Sequence, residues 1–430
     1  MKSHIHNIYF IALAMLISIY PFLLKPLGDI NYSTFNKLLL LTTSVIILWG
    51  YLIHYLFHSK QLSSLFQTKA EKLAVLFFIL IFISTLFSLN PWVSFLGSAR
   101  EYQGFLYWFS FLSLFIFSYQ FIRETKQILI VKCFVNVSVI IGFYNIWQHH
   151  HYSTDTYFYK SWGFFDNSNH YGTYMVIMIN LSLLLYLMSN NLKGLVFYWV
   201  VNGVLFLSLF YSGSRGAWVS VLLCIVLYTI LVIVPQRQLW KRWLLLFLVP
   251  ISLLLTVNII ENGFLTNRLD SVVADLMTFL DEDESSDDAG SGRGEIWKKT
   301  IPLIKDYALI GSGPSTFSIV YFEKNTSPDE IQVDNSHNDF LEIAFSMGIP
   351  ALLVYCVFLF TILKQGFKTV RELEGETKIY LQGLLITIFG YLVKSLFNIS
   401  VIPVAPFFWV LLGMAYACSL RKRGDGSFAS

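Results

Sequence analysis

Three stretches of this sequence hold the residues best suited to binding phosphate and moving a proton. YSGSRGAW (211–218) sets Arg215 at the start of an apolar helical pattern. Free N–H groups at a helix N-terminus and a planar guanidinium fork both favour phosphate. GSGRGEIW (290–297) sets Arg293 at the head of an amphipathic segment. DNSHNDFLEIAFSMGIP (334–350) sets His337 just before another apolar run, flanked by Asp334, Asn338 and Asp339. Histidine is the side chain best matched to proton transfer near neutral pH. Its polar neighbours could orient the ring or a sugar hydroxyl. Each residue also has a plainer reading: Arg215 as a snorkelling interfacial charge, Arg293 as a solvated loop charge, His337 as a hydrogen-bonded interfacial histidine. Two further stretches could line the same cavity or merely decorate a membrane interface. They are GSAREYQG (97–104), with Arg100, and GFFDNSNHYG (163–172), with His170.

The elements that position these residues follow from composition. The chain has 430 residues, 55% of them hydrophobic and 13% charged, and its mean hydropathy is +0.60. Soluble domains carry about 25% charged residues. So much apolar surface does not fit inside one soluble core, which excludes a soluble enzyme, a disordered chain and a coiled coil. A formal net charge of +3 gives nucleic-acid binding no support. The expected class is all-α: a polytopic membrane protein of about twelve transmembrane helices, with one long extracytoplasmic loop containing short helices.

Apolar stretches long enough to cross a bilayer are read near 8–24, 36–57, 72–89, 104–122, 128–149, 170–189, 194–211, 215–234, 243–260, 338–363, 378–399 and 401–420. Nine lie within 1–260, and three lie within 338–430 ahead of a short cytoplasmic tail. The loop or cap occupies 261–337. With both termini in the cytoplasm, the short inner segments hold most of the lysines and arginines, as the positive-inside rule requires. The first stretch lacks a small-residue cleavage site and reads as a retained span. Inside the long loop, 281–292 reads as solvated and flexible. Residues 293–324 read as a helical cap, with Ile296, Trp297, Ile301, Ile304 and Leu309 on one face and Gly311 and Gly313 ending it. Helical spacing also returns Gly348 to the His337 face, near Ala344. Few ionisable groups fall within the spans; Asp339, Glu342 and Lys394 cluster at the outer ends. That pattern argues against ion-coupled transport and puts the polar chemistry at the extracytoplasmic face. No metal site is read: the acidic run 281–288 lacks EF-hand spacing, and the first outer loop has only Asp29.

The combination of SRGAW, SGRGEIWKKTIPLIKDYALIGSGPSTF and DNSHNDFLEIAFSMGIP resembles the O-antigen ligase and O-antigen polymerase superfamily of bacterial integral membrane glycosyltransferases. The family pattern at its catalytic histidine is His, then Asn, Ser or Gln, nine residues, Gly, two residues, then Gly, Thr or Tyr. His337, Asn338 and Gly348 match it, and Ala351 departs from it. The resemblance is strong over 211–356 and looser over the whole chain. It implies a multi-pass protein of the bacterial cytoplasmic membrane with an extracytoplasmic active site and no cofactor. It also implies an undecaprenyl-diphosphate-linked glycan as donor, and a glycan, lipid or protein as acceptor. Arg215 and Arg293 would bind the diphosphate, and His337 would be the general base of an inverting transfer. A ligase, a repeat-unit polymerase and a protein O-oligosaccharyltransferase share that chemistry. A transporter of lipid-linked sugars or small anions is the alternative of another class.

Overall fold

In lipid, backbone groups have no water to bond, so an apolar chain satisfies them within helices. The computed structural model describes residues 2–23, 30–59, 66–99, 101–122, 124–154, 158–268, 293–324 and 333–420, and every long element among them is helical. Eight helices are long and apolar enough to cross a membrane. They are Ile5–Phe22, Thr34–His58, Lys126–Tyr152, Ser168–Met188, Leu192–Ser212, Arg215–Ile233, Arg237–Ile260 and Ile349–Glu372. Phe105–Phe121 and Ala405–Ser419 are apolar but shorter. Lys69–Leu86 and Gly375–Ser395 carry charges at their ends. The chain is therefore a polytopic helical membrane protein. A count of twelve needs crossings from all four of these shorter or more charged helices. The acidic run 281–288 and Arg100 lie outside the described residues.

The described helices fall into two compact units. The first draws on Met1–Lys126, Glu295–Thr369 and Ser395–Arg421. It contains α1 (Lys2–Ile19), α2 (Ile30–Ser59), α3 (Lys69–Leu86), α4 (Pro91–Leu96) and α5 (Phe105–Phe121). It also holds the body of α11 (Arg293–Ile304), then α12 (Phe317–Lys324), α13 (Asp339–Met347), most of α14 (Ile349–Glu372), and α16 (Ala405–Ser419). Trp409 on α16 anchors this unit: its ring stacks on Phe111 and Phe358 and meets Trp108 edge-on. At α3 a capping box closes the helix start, with Thr68 and Glu71 bonding each other's backbone N–H.

The second unit draws on Gln127–Gly294 and Val370–Lys394. It contains most of α6 (Glu124–Tyr152), then α7 (Ser168–Met188), α8 (Leu192–Ser212), α9 (Arg215–Tyr228) and α10 (Trp240–Ile260), and nearly all of α15 (Gly375–Ser395). Helix α7 is its core, buried over almost its entire length. Apolar helices have little drive to associate in an apolar solvent, so buried polar contacts matter. Ser208 donates to Asn145 Oδ1 at 2.8 Å, and Tyr228 donates to the Asn180 carbonyl at 2.9 Å.

Two expectations need correction. The continuous span over 338–363 is broken at Gly348, where φ is +87°. The histidine-proximal helix α13 stops there, and the long helix α14 begins at Ile349. Gly348 is therefore a joint, not a residue on the His337 helix face. A Cβ at Gly348 would lie 2.7 Å from the Leu309 carbonyl oxygen, and one at Gly311 would lie 2.2 Å from that of Ser346. The two chain segments approach too closely for side chains. The cap helix is also shorter than its pattern implied. It ends at Ile304, ahead of both Gly311 and Gly313, and Ile301 and Leu309 are 54% and 79% exposed. Pro302 removes a donor in its last turn. Only Ile296, Trp297 and Ile304 of the expected face pack, against Phe317, Val320, Tyr321 and Phe345.

Candidate functional site

In the first unit, the chemistry-bearing stretch is a tight turn leading into α13. Asn338 is the N-cap: its side-chain oxygen accepts from Phe340 N at 3.0 Å and Leu341 N at 3.2 Å. Directly before it, His337 adopts φ +50°. A left-handed backbone at a non-glycine residue costs free energy and is held by its surroundings. Here the holding contacts are explicit. His337 N donates to Asn335 Oδ1 at 2.9 Å, and Asn335 Nδ2 donates to Glu101. Ser336 N donates to Glu342 Oε2 at 2.9 Å, and the Ser336 carbonyl accepts from Trp297 Nε1 at 2.9 Å. The imidazole is thus presented, partly exposed, by a turn whose other polar groups are engaged.

The acidic neighbours have structural partners. Asp339 is buried and accepts from Ser400 through both oxygens, from N at 3.0 Å and Oγ at 2.7 Å. Burial pushes its carboxyl up to about 6, against the pull of those two bonds. Burial likewise pushes Glu342 up to about 7. Both line a small cavity with Gln103, Tyr107 and Ser315. Asp334 lies on the same turn, partly exposed. The far end of α13 is stapled by the GSGPSTF segment: Ser312 N donates to Phe345 O at 3.1 Å and Gly313 N to Ser346 O at 2.9 Å. The GSGPSTF segment thus serves as a clasp on the helix that follows the histidine turn.

In the second unit, Arg215 is the first residue of α9, as expected. Gly213 at φ +60° ends α8, and Ser214 makes the step into α9. Ser214 Oγ donates to Asn169 Oδ1 at 3.1 Å, which ties the arginine turn to the start of α7, where His170 lies. Arg293 is the first residue of α11, and its guanidinium acts electrostatically on the buried ammonium of Lys394.

Several groups beside the arginine turn had no motif to announce them. His149 is buried, stacks on Tyr211 at 3.9 Å, and bonds both the Tyr159 carbonyl (2.7 Å) and Glu261 (3.1 Å). It sits in a run of three histidines ending α6, whose only sequence signal is the run itself. Lys160 and Arg268 are the other two. Burial of its stem, then Arg268 and Arg215, hold the Lys160 ammonium below the usual lysine range. Among the described residues no cluster of three His, Cys, Asp or Glu side chains is placed to hold a metal ion.

Residues 200–356 match the O-antigen ligase family. That segment holds Arg215, the clasp and the histidine turn. The chain is also 26% identical, over 362 residues, to the teichuronic acid biosynthesis protein TuaE of Bacillus subtilis (strain 168), covering 80% of this chain and 70% of the relative. The apolar helices and the bacterial relative indicate a bacterial integral membrane protein. Motifs, family match and relative agree in their support for the O-antigen ligase superfamily, which the chain resembles most clearly over 200–356.

Proposed function

We propose that this protein transfers a polyprenyl-diphosphate-linked glycan to an acceptor hydroxyl at the extracytoplasmic face of the membrane, without a metal. The observation that supports this most is the His337 turn, a strained backbone position held by Asn335, Asn338 and Glu342 so that the ring projects from a fixed support. A sugar hydroxyl is a weak nucleophile and needs a base within hydrogen-bond reach.

In this mechanism an imidazole nitrogen of His337 takes the acceptor's hydroxyl proton as its oxygen attacks the anomeric carbon. A new glycosidic bond forms there with inversion. The bond from that carbon to the diphosphate oxygen breaks, and the polyprenyl diphosphate leaves with the electron pair. Arg215 and Arg293 stabilise the charge gathering on the diphosphate, the task a divalent cation performs elsewhere. Asp334, Asn338 and Asp339 keep the turn in place, and Arg100 and His170 would be secondary contacts to substrate.

The test is reconstitution of the purified protein with an undecaprenyl-diphosphate-linked repeat unit in the presence of EDTA. Products are read by gel and mass spectrometry. Transfer that requires an added lipid, protein or wall-polymer acceptor makes it a ligase or transferase. A ladder from donor alone makes it a polymerase. Donor binding without any product, from a folded sample and a matched donor, removes the transferase reading and leaves transport.

A further inference from the structure

Lys394 is the last residue but one of α15. Its side chain is fully buried, and its Nζ has no hydrogen-bond partner among the described residues. A lysine at the end of an apolar helix ordinarily snorkels, with its ammonium in water; Lys394 does the opposite. The packing of the second unit shows where it lies. A Cβ at Gly383 would be 2.6 Å from Leu184 Cδ1, and one at Gly390 would be 3.1 Å from Val176 Cγ1. Helix α15 therefore runs antiparallel to α7 with those pairs level. One turn beyond Gly390, Lys394 falls on the same face, level with Gly172. A Cβ at Gly172 would be 2.6 Å from Ser214 Cβ and 3.0 Å from Ala217 Cβ. That level is thus the turn that starts α9 and carries Arg215. A lysine stem is about as long as one helical turn, ~5.4 Å, so a rotamer change can carry the ammonium to the helix start. The Arg293 charge already acts on it. Burial without a counter-charge disfavours an ammonium, and a guanidinium nearby disfavours it further. An anion that reaches Arg293 and the Arg215 turn relieves both penalties.

We propose that Lys394 is a third cation of the donor site, which pairs with the diphosphate of the lipid-linked glycan as the donor docks. This rests on the donor chemistry proposed above. A diphosphate carries enough charge for more than one cation, and its phosphate beside the polyprenyl tail lies nearer the bilayer than the sugar-bearing one. Lys394, a turn below the helix start, is placed for that deeper phosphate. Its ammonium is a mobile point charge on a flexible stem, whereas the arginines are planar forks. The fold without donor thus carries an unfavourable charge that the donor satisfies, a trade of stability for function.

The experiment measures binding of undecaprenyl diphosphate to the full-length protein in nanodiscs, with the thermal melt of the ligand-free protein as a second readout. Lys394→Met keeps the stem and removes the charge. It should weaken binding about tenfold, from the loss of one charged hydrogen bond. It should also raise the melting temperature, because a buried charge without a partner has gone. Lys394→Gln should weaken binding to a similar extent. Added undecaprenyl diphosphate should stabilise the wild type more than Lys394→Met. Lys299→Gln, at a lysine already paired with Glu295 at 2.7 Å, should bind as wild type. Wild-type affinity in Lys394→Met overturns the proposal and leaves the lysine as an uncharged spacer. If Arg215→Gln or Arg293→Gln then loses binding, the diphosphate reading of the donor stands and only Lys394 drops out. If both arginine variants also bind normally, the donor reading itself fails. A lowered melting temperature in both Lys394→Met and Lys394→Gln assigns the lysine to the fold alone and overturns the proposal as well.

Discussion

Around His337 the polar partners are carboxylates, amides and hydroxyls that bond one another or the backbone, whereas around Arg215 cations and stacked rings join the Ser214 hydroxyl, the Asn169 amide and the Glu261 carboxylate. The first region invests its hydrogen bonds in backbone: Asn335, Asn338, Glu342 and Trp297 each bond the main chain of the turn or of the helix after it. The second collects Lys160 and Arg268 against the turn that carries Arg215. The contrast matches two demands of glycosyl transfer. A general base must be held in position to within a fraction of an ångström, and a rigid cap does that. A leaving group that accumulates charge needs positive potential, which several cations supply.

Perturbing each region should expose this difference, and the largest effect belongs to the base. His337→Ala should reduce transfer by about 10²–10⁴-fold with unchanged donor binding and thermal stability. A near-normal rate in the reconstituted assay would remove the base from this turn. Arg215→Ala and Arg293→Ala should each slow turnover about 100-fold or more, equivalent to a few kcal/mol per donor. Arg→Lys at either position should also impair, since lysine lacks the planar fork. Wild-type kinetics for either arginine variant would take that residue out of the diphosphate site.

The supporting residues come next. Gly348→Ala should destabilise the first unit by about 1–3 kcal/mol, from left-handed strain plus the contact with the Leu309 carbonyl; a thermal melt in detergent reads this directly. Asn338→Ala should cost about 1 kcal/mol through the lost cap and lower the rate several-fold without changing donor affinity. A matching loss of donor affinity would mean that the turn also touches the diphosphate.

The smallest effect is linked to pH. Asp339 and Glu342 are raised to about 6 and about 7 from ordinary values of 3.8 and 4.5. For a carboxyl raised in the folded state, the stabilisation is full below the unfolded value and is lost as pH rises through the folded one. Melting temperature should therefore fall between about pH 4 and pH 7, and Glu342→Gln should reduce the slope. A flat wild-type profile across that window would show that neither carboxyl is shifted.

Sequence alone determined the class of this molecule. Apolar runs of bilayer length specify helices because lipid offers the backbone no other partner, and the eight long helices follow those runs. It also marked Arg215 as the first residue of its helix, because the Gly-Ser step before it is a local stop-and-start signal. Periodicity failed at 338–363 and at 293–309. A helical pattern cannot register that Leu309 and Ser346 backbones come too close for anything but glycine at 311 and 348, nor that the cap helix packs on only part of its face. The His337 backbone conformation was equally illegible, since it depends on Glu342, Trp297 and Asn335 arriving together. Lys160 and Arg268 belong to no motif. They lie more than fifty residues from Arg215 on either side, and only the folding of the second unit sets them against its turn. Chain composition and local spacing could specify which groups are chemically able. Which of them share a surface was decided by long-range packing, which no local pattern encodes.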